Sequence, residues 1–520
     1  MIRHFLCLFV AFLVGCASSS QTPPAARISF SYHPFTVDPR KGTDPVTTAL
    51  CLMLYEGLFH LEEDGTLSNA IAKGLEISED RRTYTFFLRP SMWSDGSPLT
   101  AYHFAEGWKK QLSPTFTSRN AHFLYPILNA EEVKEGKAPM ESLGITPLDE
   151  LTLQVTLKHP TPYFLELLAH PIFFPVPYNG DEVPYPTEGG ELLTNGPFML
   201  ESWKNEDRIT LIKNPYYWEA EAVELERIQA LIISEESTAL KLFEKGKLDY
   251  IGGLISPLPL DAIASLREEG KIFEKPGGGT AFATFNLHRY PFNNLHIRKA
   301  FAYAIHRQAI VENVTQMWDD PATGLVPPHL KRAAITFFND HAAALARKHF
   351  MLGLEELGIS KEEFPPIIYD YFSSELQRGL AVALQSYWRE VLGIEVSLQA
   401  QELRVHLQKL TSGDFMIAQM SWIAQYSDPM CFLERFLSKK QYRNYGGWEH
   451  PTYQALLTAS NKVPEKERKV LLEEAEKLLI DEMPILPLYH YHSVYLKSPR
   501  LKGLEVSPIG NLSLKRATVK

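Results

Sequence analysis

The chain has 520 residues and a formal net charge of −10 at pH 7, with 45 % hydrophobic and 12 % aromatic residues. Single hydrophobic cores stop growing near about 250 to 300 residues, so this length and apolar content predict two large lobes. The acidic balance lacks the basic charge that nucleic-acid binding requires, so nucleic acid is excluded as an expected partner.

The first sixteen residues have the layout of a bacterial secretory signal that ends in a lipidation motif. A short basic start precedes the apolar run Phe5–Val14, which is shorter than the roughly 20 residues that span a bilayer. Gly15 and Cys16 follow this run. We expect residues 1–15 to be removed, Cys16 to carry lipid, and the small, polar, proline-bearing residues 16–26 to form a flexible tether. A plain secretory signal with an incidental cysteine is the alternative.

Strand-like and helix-like patterns alternate along the remaining chain, which predicts an α/β or α+β protein. Residues 160–190 contain many prolines and few periodic positions, a composition typical of a lobe edge or a long surface connection. The predicted strands are 83–88, 151–157, 280–286, 394–399 and 415–420, with a last strand entered through 483–489. The predicted helices are 46–58, 296–314, 341–357, 374–392 and 465–479.

Three consecutive glycines, Gly277–Gly279, form the least restricted stretch of backbone in the chain, because glycine adopts φ values that other residues avoid. This freedom suits a crossing between two lobes, and the segment Pro484–Tyr489 is the predicted place of return. An ordinary surface loop at the glycines is the alternative.

The usual catalytic and phosphate-binding motifs are missing from the sequence, which lowers the expectation of an enzyme. His490 and His492 share one face of a predicted strand, but no further cysteine or histidine pair completes a metal site. The acidic turn 62–64 fails the ligand spacing of a calcium loop. We therefore expect no cofactor and no metal. Cys51 and Cys431 either form a disulfide or stay as buried thiols.

A series of short motifs follows one specific order along the chain. The motifs are Leu54–Leu58, Thr83–Arg89, Trp93–Ala101, Asn195–Phe198, Lys213–Trp218, Arg298–Ile305, Trp422–Pro429 and Pro484–Tyr489. Their order resembles family 5 of the extracellular solute-binding proteins, the oligopeptide, dipeptide and nickel receptors of ABC importers. Most of these motifs are typical of scaffold, since they combine turn residues with packed aromatic residues.

The resemblance implies an α/β fold of the periplasmic-binding-protein type II, with two lobes, a hinge and an extra subdomain on the first lobe. The first lobe would comprise residues 27–53, 190–276 and 490–520. The extra subdomain would comprise 54–189, and the second lobe 277–489. Ligand binding would close the lobes, and a membrane permease would recognise the closed form.

In peptide-binding relatives, the segment that corresponds to Ser421–Pro429 lies in the cleft, and an aspartate at the position of Gln425 pairs with the peptide's amino terminus. An arginine that meets a peptide carboxylate falls at Gln419. Both positions are neutral amides here. Either the charged anchors lie elsewhere, the cargo is different, or the two glutamines face packing. The candidate ligand-binding residues are Trp422, Gln425, Gln419 and Tyr426, of which Tyr426 has the more structural character.

The sequence thus predicts a lipid-anchored, non-enzymatic substrate-binding component of an ABC importer. A peptide is the expected ligand, and the permease with its ATPase is the expected partner. The protein would lie on a bacterial envelope membrane and face the periplasm or the exterior. Alternatives are a receptor for a non-peptide solute or a metal chelate on the same fold, and, from other classes, a secreted hydrolase or an adhesin.

Overall fold

The computed structural model describes residues 24–177, 183–186, 191–331, 335–441 and 443–520. The expected signal peptide, the expected lipidation site Cys16 and most of the expected tether lie outside the described residues. The end of the tether differs from expectation, because a strand already begins at Ala25. Among the residues that are described, no helix has the length and apolar character needed to cross a bilayer.

All six predicted strands are present, with ends that shift by several residues. The strand predicted at 83–88 is found at those residues. The last strand extends to Lys497, well beyond its predicted entry. In chain order the strands are β1 (Ala25–Phe30), β2 (Phe59–Leu61), β3 (Leu67–Asn69), β4 (Ala72–Ile77), β5 (Thr83–Leu88), β6 (Ser91–Met92), β7 (Pro98–Leu99), β8 (Ile145–Asp149), β9 (Thr152–Thr156), β10 (Phe198–Lys204), β11 (Arg208–Lys213), β12 (Arg227–Ile232), β13 (Tyr250–Gly252), β14 (Phe273–Phe285), β15 (Asp320–Pro321), β16 (Ile367–Phe372), β17 (Val396–Gln401), β18 (Ile417–Ile423), β19 (Ile485–Lys497), β20 (Leu501–Lys502), β21 (Glu505–Val506), β22 (Leu512–Ser513) and β23 (Thr518–Val519).

The helix predicted at 46–58 starts one residue earlier, because Asp44 caps its start and accepts the Thr47 N–H at 2.9 Å. It also ends earlier than predicted, at Leu54. The helix predicted at 296–314 is interrupted after Tyr303. In chain order the helices are α1 (Pro45–Leu54), α2 (Ala101–Leu112), α3 (Ala130–Lys134), α4 (Phe164–Leu167), α5 (Glu236–Glu244), α6 (Ile263–Glu268), α7 (Leu295–Tyr303), α8 (Arg307–Ile310), α9 (Pro328–Lys331), α10 (Ala343–Leu357), α11 (Glu375–Leu392), α12 (Leu403–Ser412), α13 (Met430–Leu433), α14 (Pro451–Ser460) and α15 (Glu465–Glu482).

Within the described residues, one mixed sheet of eleven strands runs through both lobes in the order β10–β11–β12–β1–β13–β19–β14–β18–β16–β17, with β15 paired to β19. The side from β10 to β13 belongs to the first lobe, where β1 is parallel to β12 and β13. The side from β18 to β17 belongs to the second lobe, where β16 is parallel to both neighbours. Phe301, Tyr369 and Trp388 are buried in the second-lobe core.

The strands β14 and β19 cross from one lobe to the other while pairing with each other. Their register jumps between Pro276 and Thr280, so that Gly277–Gly279 opposes the single residue Tyr491. The glycines therefore lie in a bulge within a strand and not in a surface loop. The strand β19 crosses back to the first lobe at Tyr491, opposite the glycines. The predicted place of return, Pro484–Tyr489, comes just before: it leads into β19 and pairs inside the second lobe.

A separate four-stranded sheet, β4–β5–β9–β8, forms the small subdomain together with α2. Trp108 of α2 donates its indole N–H to the Phe173 carbonyl at 2.9 Å. Phe86 of β5 and Leu54 of α1 belong to the same hydrophobic core. The small subdomain therefore packs onto the first lobe, and the exact boundaries drawn from the sequence stay predictions.

The two cysteines of the described chain lie in different lobes. Cys51 is part of α1 and Cys431 is part of α13. Both are buried free thiols, so of the two alternatives the structure has the unpaired one. Burial raises the pKa of the Cys431 thiol to about 12, which keeps it protonated at neutral pH.

Candidate ligand-binding cleft

A polar cavity of about 190 Å³ lies where the two lobes and the small subdomain meet. The second lobe contributes Ser421–Gln425, which is the end of β18 and the loop after it. The subdomain contributes His170. Because the walls come from three parts of the molecule, the shape of the cavity depends on how these parts are placed. Further wall residues are Asp44, Thr48, Leu254, Arg443, Ile509 and Asn511.

Trp422, the predicted platform for a ligand group, is one of the cavity walls. Its indole N–H donates to the Cys431 carbonyl at 3.0 Å. The guanidinium carbon of Arg435 lies 4.1 Å from the centroid of the indole ring, within the range of a cation–π contact. These contacts fix the orientation of the ring. The proposed contact of Trp422 with ligand stays a prediction.

Gln425 lies in the same wall, and its side chain is already hydrogen-bonded. Its Nε2 donates to the Ile423 carbonyl at 3.0 Å, and the side chain also hydrogen-bonds the ring of His170. The Nδ1 of His170 accepts the Ile172 N–H at 3.1 Å, and burial lowers the pKa of His170 to about 4. The imidazole is therefore neutral at pH 7, with its proton on Nε2. The pair joins the second lobe to the subdomain without any charge.

Gln419 occupies a different environment from Gln425. It pairs with Ala283 in the middle of the β14–β18 ladder, and 2 % of its surface is exposed. The side-chain Nε2 of Gln419 donates to the Met420 carbonyl at 3.2 Å. The backbone carbonyl of Gln419 lies 2.9 Å from His406 Nε2. Gln419 is not among the residues that line the polar cavity. The structure thus separates two residues that the sequence placed in one site.

Tyr426 connects the second lobe to the small subdomain. Its ring stacks on Tyr163 with centroids 5.2 Å apart and ring planes 10° apart. Its hydroxyl donates to Glu434 Oε1 at 2.9 Å. Tyr426 is 1 % exposed. These contacts agree with the structural character expected from the sequence, and its predicted contact with ligand is untested.

Two charged residues of the polar cavity were not singled out from the sequence. Asp44 lies on the first-lobe side, where it caps α1 and hydrogen-bonds Tyr32. Arg443 lies on the second-lobe side, with its guanidinium carbon 5.2 Å from the centroid of Trp422. Nothing in the sequence near either residue indicated that they share a cavity.

Ionisable side chains cluster beside a larger cavity of about 590 Å³ between the small subdomain and the second lobe. Arg468 donates from both terminal nitrogens to Asp428, at 2.7 and 2.9 Å. Burial, and then the charge of Asp428, raises the pKa of Glu166 to about 7. We call Tyr163, Glu166, Tyr426, Asp428 and Arg468 the subdomain contact.

The histidines at 490 and 492 do not converge on a common centre. His490 Nδ1 lies 2.8 Å from the hydroxyl of Thr280. The His492 ring contacts the carboxylates of Glu274 at 2.7 Å and Asp320 at 3.1 Å, which raise its pKa against the opposing effect of burial. Each ring nitrogen involved already has a partner within the protein. A metal bound by both histidines would have to displace these contacts.

A second group of possible metal ligands in the described part of the chain is His60, Glu62 and Glu505. Arg516 donates to Glu62 at 3.0 Å and to Glu505 at 3.2 Å. A guanidinium thus balances the two carboxylates. The arrangement is explained by an ion-pair network between the small subdomain and the first lobe.

Comparison with known proteins decides the family. The model of the bacterial extracellular solute-binding proteins, family 5 middle region, matches residues 66–444. The chain belongs to this family. The family predicted from the order of motifs is therefore confirmed.

Individual relatives cover nearly the whole chain. The oligopeptide-binding protein OppA of Bacillus subtilis is 34 % identical over 95 % of this chain and 92 % of its own length. The probable deoxycholate-binding periplasmic protein YgiS of Escherichia coli is 31 % identical over 93 % of this chain and 92 % of its own length. The structure of the periplasmic oligopeptide-binding protein OppAIV of Borrelia burgdorferi superposes with a TM-score of 0.81, at 27 % identity, over 95 % of this chain and all of that chain. The predicted two-lobed α/β fold is confirmed.

Proposed function

We propose that this protein is the substrate-binding component of an ABC importer and that it captures peptides by closing its two lobes around them. The polar cavity between Ser421–Gln425 and the start of α1 carries the proposal, because it is walled by both lobes and the small subdomain. The similarity to OppA of B. subtilis supports a peptide as the ligand class. The crossing strands β14 and β19, with the bulge at Gly277–Gly279, would be the hinge.

The cavity wall at Gln425 is neutral, and this neutrality limits which group of a bound peptide can lie against it. Gln425 and the neutral His170 hydrogen-bond each other, and Gln425 also donates to the Ile423 carbonyl. A free ammonium group placed against this pair would lose hydration without gaining a charge partner from it. The peptide would therefore present a neutral group to Gln425, and its free amino terminus would contribute little to binding.

The protein would act without any chemical step and hand its ligand unchanged to a permease. We place it at a bacterial envelope membrane, with Cys16 as the lipid-bearing residue. Replacing Cys16 with Ser tests the anchor by detergent phase partitioning of the expressed protein. The wild type should enter the detergent phase and the variant the aqueous phase. A variant that still enters the detergent phase would place the anchor elsewhere.

A second candidate ligand class is an amphipathic non-peptide solute. The relative YgiS is described as a probable deoxycholate-binding protein, and its similarity to this chain is close to that of OppA. The neutral Gln425 at the position of an ammonium-binding aspartate agrees with a ligand that lacks an amino terminus.

Mass spectrometry of ligand released by denaturing the purified protein distinguishes the two classes. Calorimetry with tetra-alanine and with deoxycholate then measures each affinity. Ser421→Trp, which fills the polar cavity, should weaken peptide binding at least tenfold, whereas Ser412→Trp on the exposed end of α12 should leave it unchanged. Binding of deoxycholate but of no peptide would replace the first candidate with the second. If Ser421→Trp binds peptide as tightly as Ser412→Trp does, the ligand binds outside this cavity.

A further inference from the structure

An apolar cavity of about 330 Å³ lies beside the crossing strands. The first lobe lines it with Leu254, Leu258 and Ile509, and the second lobe with Met317, Leu376 and Ile423. The glycines of β14 and Tyr491 of β19 complete the wall. The cavity therefore lies between the lobes at the level of the crossing strands, and most of its surface is apolar.

This apolar cavity shares part of its wall with the polar cavity of about 190 Å³. Leu254, Ile423 and Ile509 line both. Ile423 precedes Gln425 by two residues, so a ligand that lies along Ser421–Gln425 has the apolar cavity within reach of one side chain. The two cavities are thus neighbouring compartments of one cleft, one polar and one apolar.

The size of the apolar cavity suits a large side chain. An apolar cavity of about 150 Å³ is known to stay dry and to bind benzene. The present cavity is about 330 Å³, which leaves room for an aromatic ring or a long aliphatic chain. A charged side chain would lose its hydration there, since His492 is the one ionisable wall residue besides Tyr491 and is already held by Glu274 and Asp320.

The glycine triplet lets a crossing strand pack closely beside the cavity. A Cβ at Gly278 would lie 2.8 Å from the Cα of Ile509, and a Cβ at Gly279 would lie 2.5 Å from Cδ2 of Tyr491. The approach at Gly278 brings the backbone of a crossing strand against the first-lobe segment that holds Ile509. A ligand group that fills the cavity in this arrangement contacts both lobes and favours the closed state over the open one.

We propose that this apolar cavity is a specificity subsite that takes one bulky apolar side chain of the bound peptide. The inference rests on the proposed function, because it requires a peptide in the adjoining polar cavity. The protein then selects peptides by one large aliphatic or aromatic residue and by shape, and the charge of the amino terminus contributes little.

Calorimetry with tetra-alanine and its single-substitution series tests the subsite. In each peptide, one alanine is replaced by Phe or by Asp, at each position in turn. We expect one position at which Phe strengthens binding at least tenfold over Ala and at which Asp weakens it. Leu376→Trp, which fills the cavity from the second lobe, should reduce this Phe-over-Ala ratio below about threefold. Leu345→Trp, on an exposed face of α10, should leave the ratio unchanged.

Met317→Trp fills the same cavity from another element and serves if the first variant does not fold. Peptides that bind with no preference at any position would overturn the subsite while leaving the proposed function intact. A Phe preference that survives both cavity-filling variants would also overturn it, because the apolar residue would then bind elsewhere. If no peptide of the series binds, the proposed function fails and the subsite fails with it.

Discussion

At the crossing strands the two lobes meet through backbone and apolar side chains, whereas the second lobe meets the small subdomain beside buried ionisable side chains. Gly278 brings its backbone against Ile509 at the first place. Asp428 and Arg468 form a buried ion pair at the second, and Glu166 lies beside them. Close packing therefore limits the approach of the lobes on one side, and buried ionisable groups lie on the other. Ligand fit and pH should act on different sides of the same cleft.

The largest effect is expected from breaking the ion pair of the subdomain contact. Asp428→Ala leaves Arg468, whose side chain is 3 % exposed, without its bidentate partner. Removing one member of a buried pair costs about 3 to 5 kcal/mol, because the remaining charge stays desolvated. The free energy of unfolding, measured by urea denaturation, should fall by about that amount.

The matched control is an ion pair on the exposed face of α15. Asp481→Ala removes the partner of Lys477, and both side chains are more than half exposed. Such a pair contributes about 0 to 1 kcal/mol. Equal losses in the two variants would mean that burial does not strengthen the Asp428–Arg468 pair, and the contrast between the two sides of the cleft would disappear.

Gln425 lies between the two sides, and giving it a charge should change ligand recognition. Gln425→Asp places a carboxylate beside His170 and should strengthen binding of a peptide with a free amino terminus by about 1 to 3 kcal/mol. Acetylation of the peptide should matter little to the wild type and much to the variant. Calorimetry on the four combinations forms a double-mutant cycle that isolates the new pair.

The control is Gln425→Asn, whose side chain has the same length as that of Gln425→Asp but carries no charge. Its affinity for the peptide should not depend on acetylation. A wild type that already rejects acetylated peptides would mean that another residue, such as Asp44, holds the ammonium group. The alignment of Gln425 with the amino-terminal site of peptide-binding relatives would then have to be abandoned.

A smaller effect on affinity is expected at the crossing strands. Gly278→Ala places a methyl group 2.8 Å from the Cα of Ile509, and no side-chain rotation relieves this contact. The closed state should become less populated, which weakens peptide binding about tenfold. Small-angle scattering should show a smaller radius of gyration when the wild type binds peptide, and less contraction in the variant.

Gly379→Ala in α11 is the control, since its Cβ would lie 3.4 Å from Cγ1 of Val314, an ordinary contact. It should bind and contract like the wild type. An unchanged radius of gyration in the wild type at saturating peptide would argue against a hinge and against the role given to the glycines.

The elements that follow a local pattern could be predicted from the sequence, and the site could be predicted only in part. The alternating residues 83–88 form a strand at the expected place. The sequence left a lobe crossing and a surface loop open at Gly277–Gly279, because the strand pairing there depends on β18 and β19, which are distant in sequence. Gln419 and Gln425 looked equivalent, yet one lies inside the sheet and the other beyond its end, where His170 reaches it. Register and long-range contacts made the difference.

The smallest effect concerns pH at the subdomain contact. Burial, with the charge of Asp428 as the second cause, raises the pKa of Glu166 from its ordinary value near 4.5 to about 7. The folded state therefore keeps this proton at pH values where the unfolded chain has lost it. The stabilisation is fully present below about pH 4.5 and is lost as pH rises through about 7.

Glu166→Gln removes this titration, so its stability relative to the wild type should rise between pH 5 and pH 8 by on the order of 1 kcal/mol, a value discounted for partial exposure. The exposed Glu363, whose pKa is lowered by hydrogen bonds from Ser360, is ionised throughout this range, and Glu363→Gln should show a constant difference. Urea denaturation at several pH values measures both. A constant difference for Glu166→Gln as well would show that Glu166 is ionised in the folded protein. The pH response would then have to come from Glu434, whose pKa burial raises to about 7 inside the second lobe, and the subdomain contact would join the lobes without sensing pH.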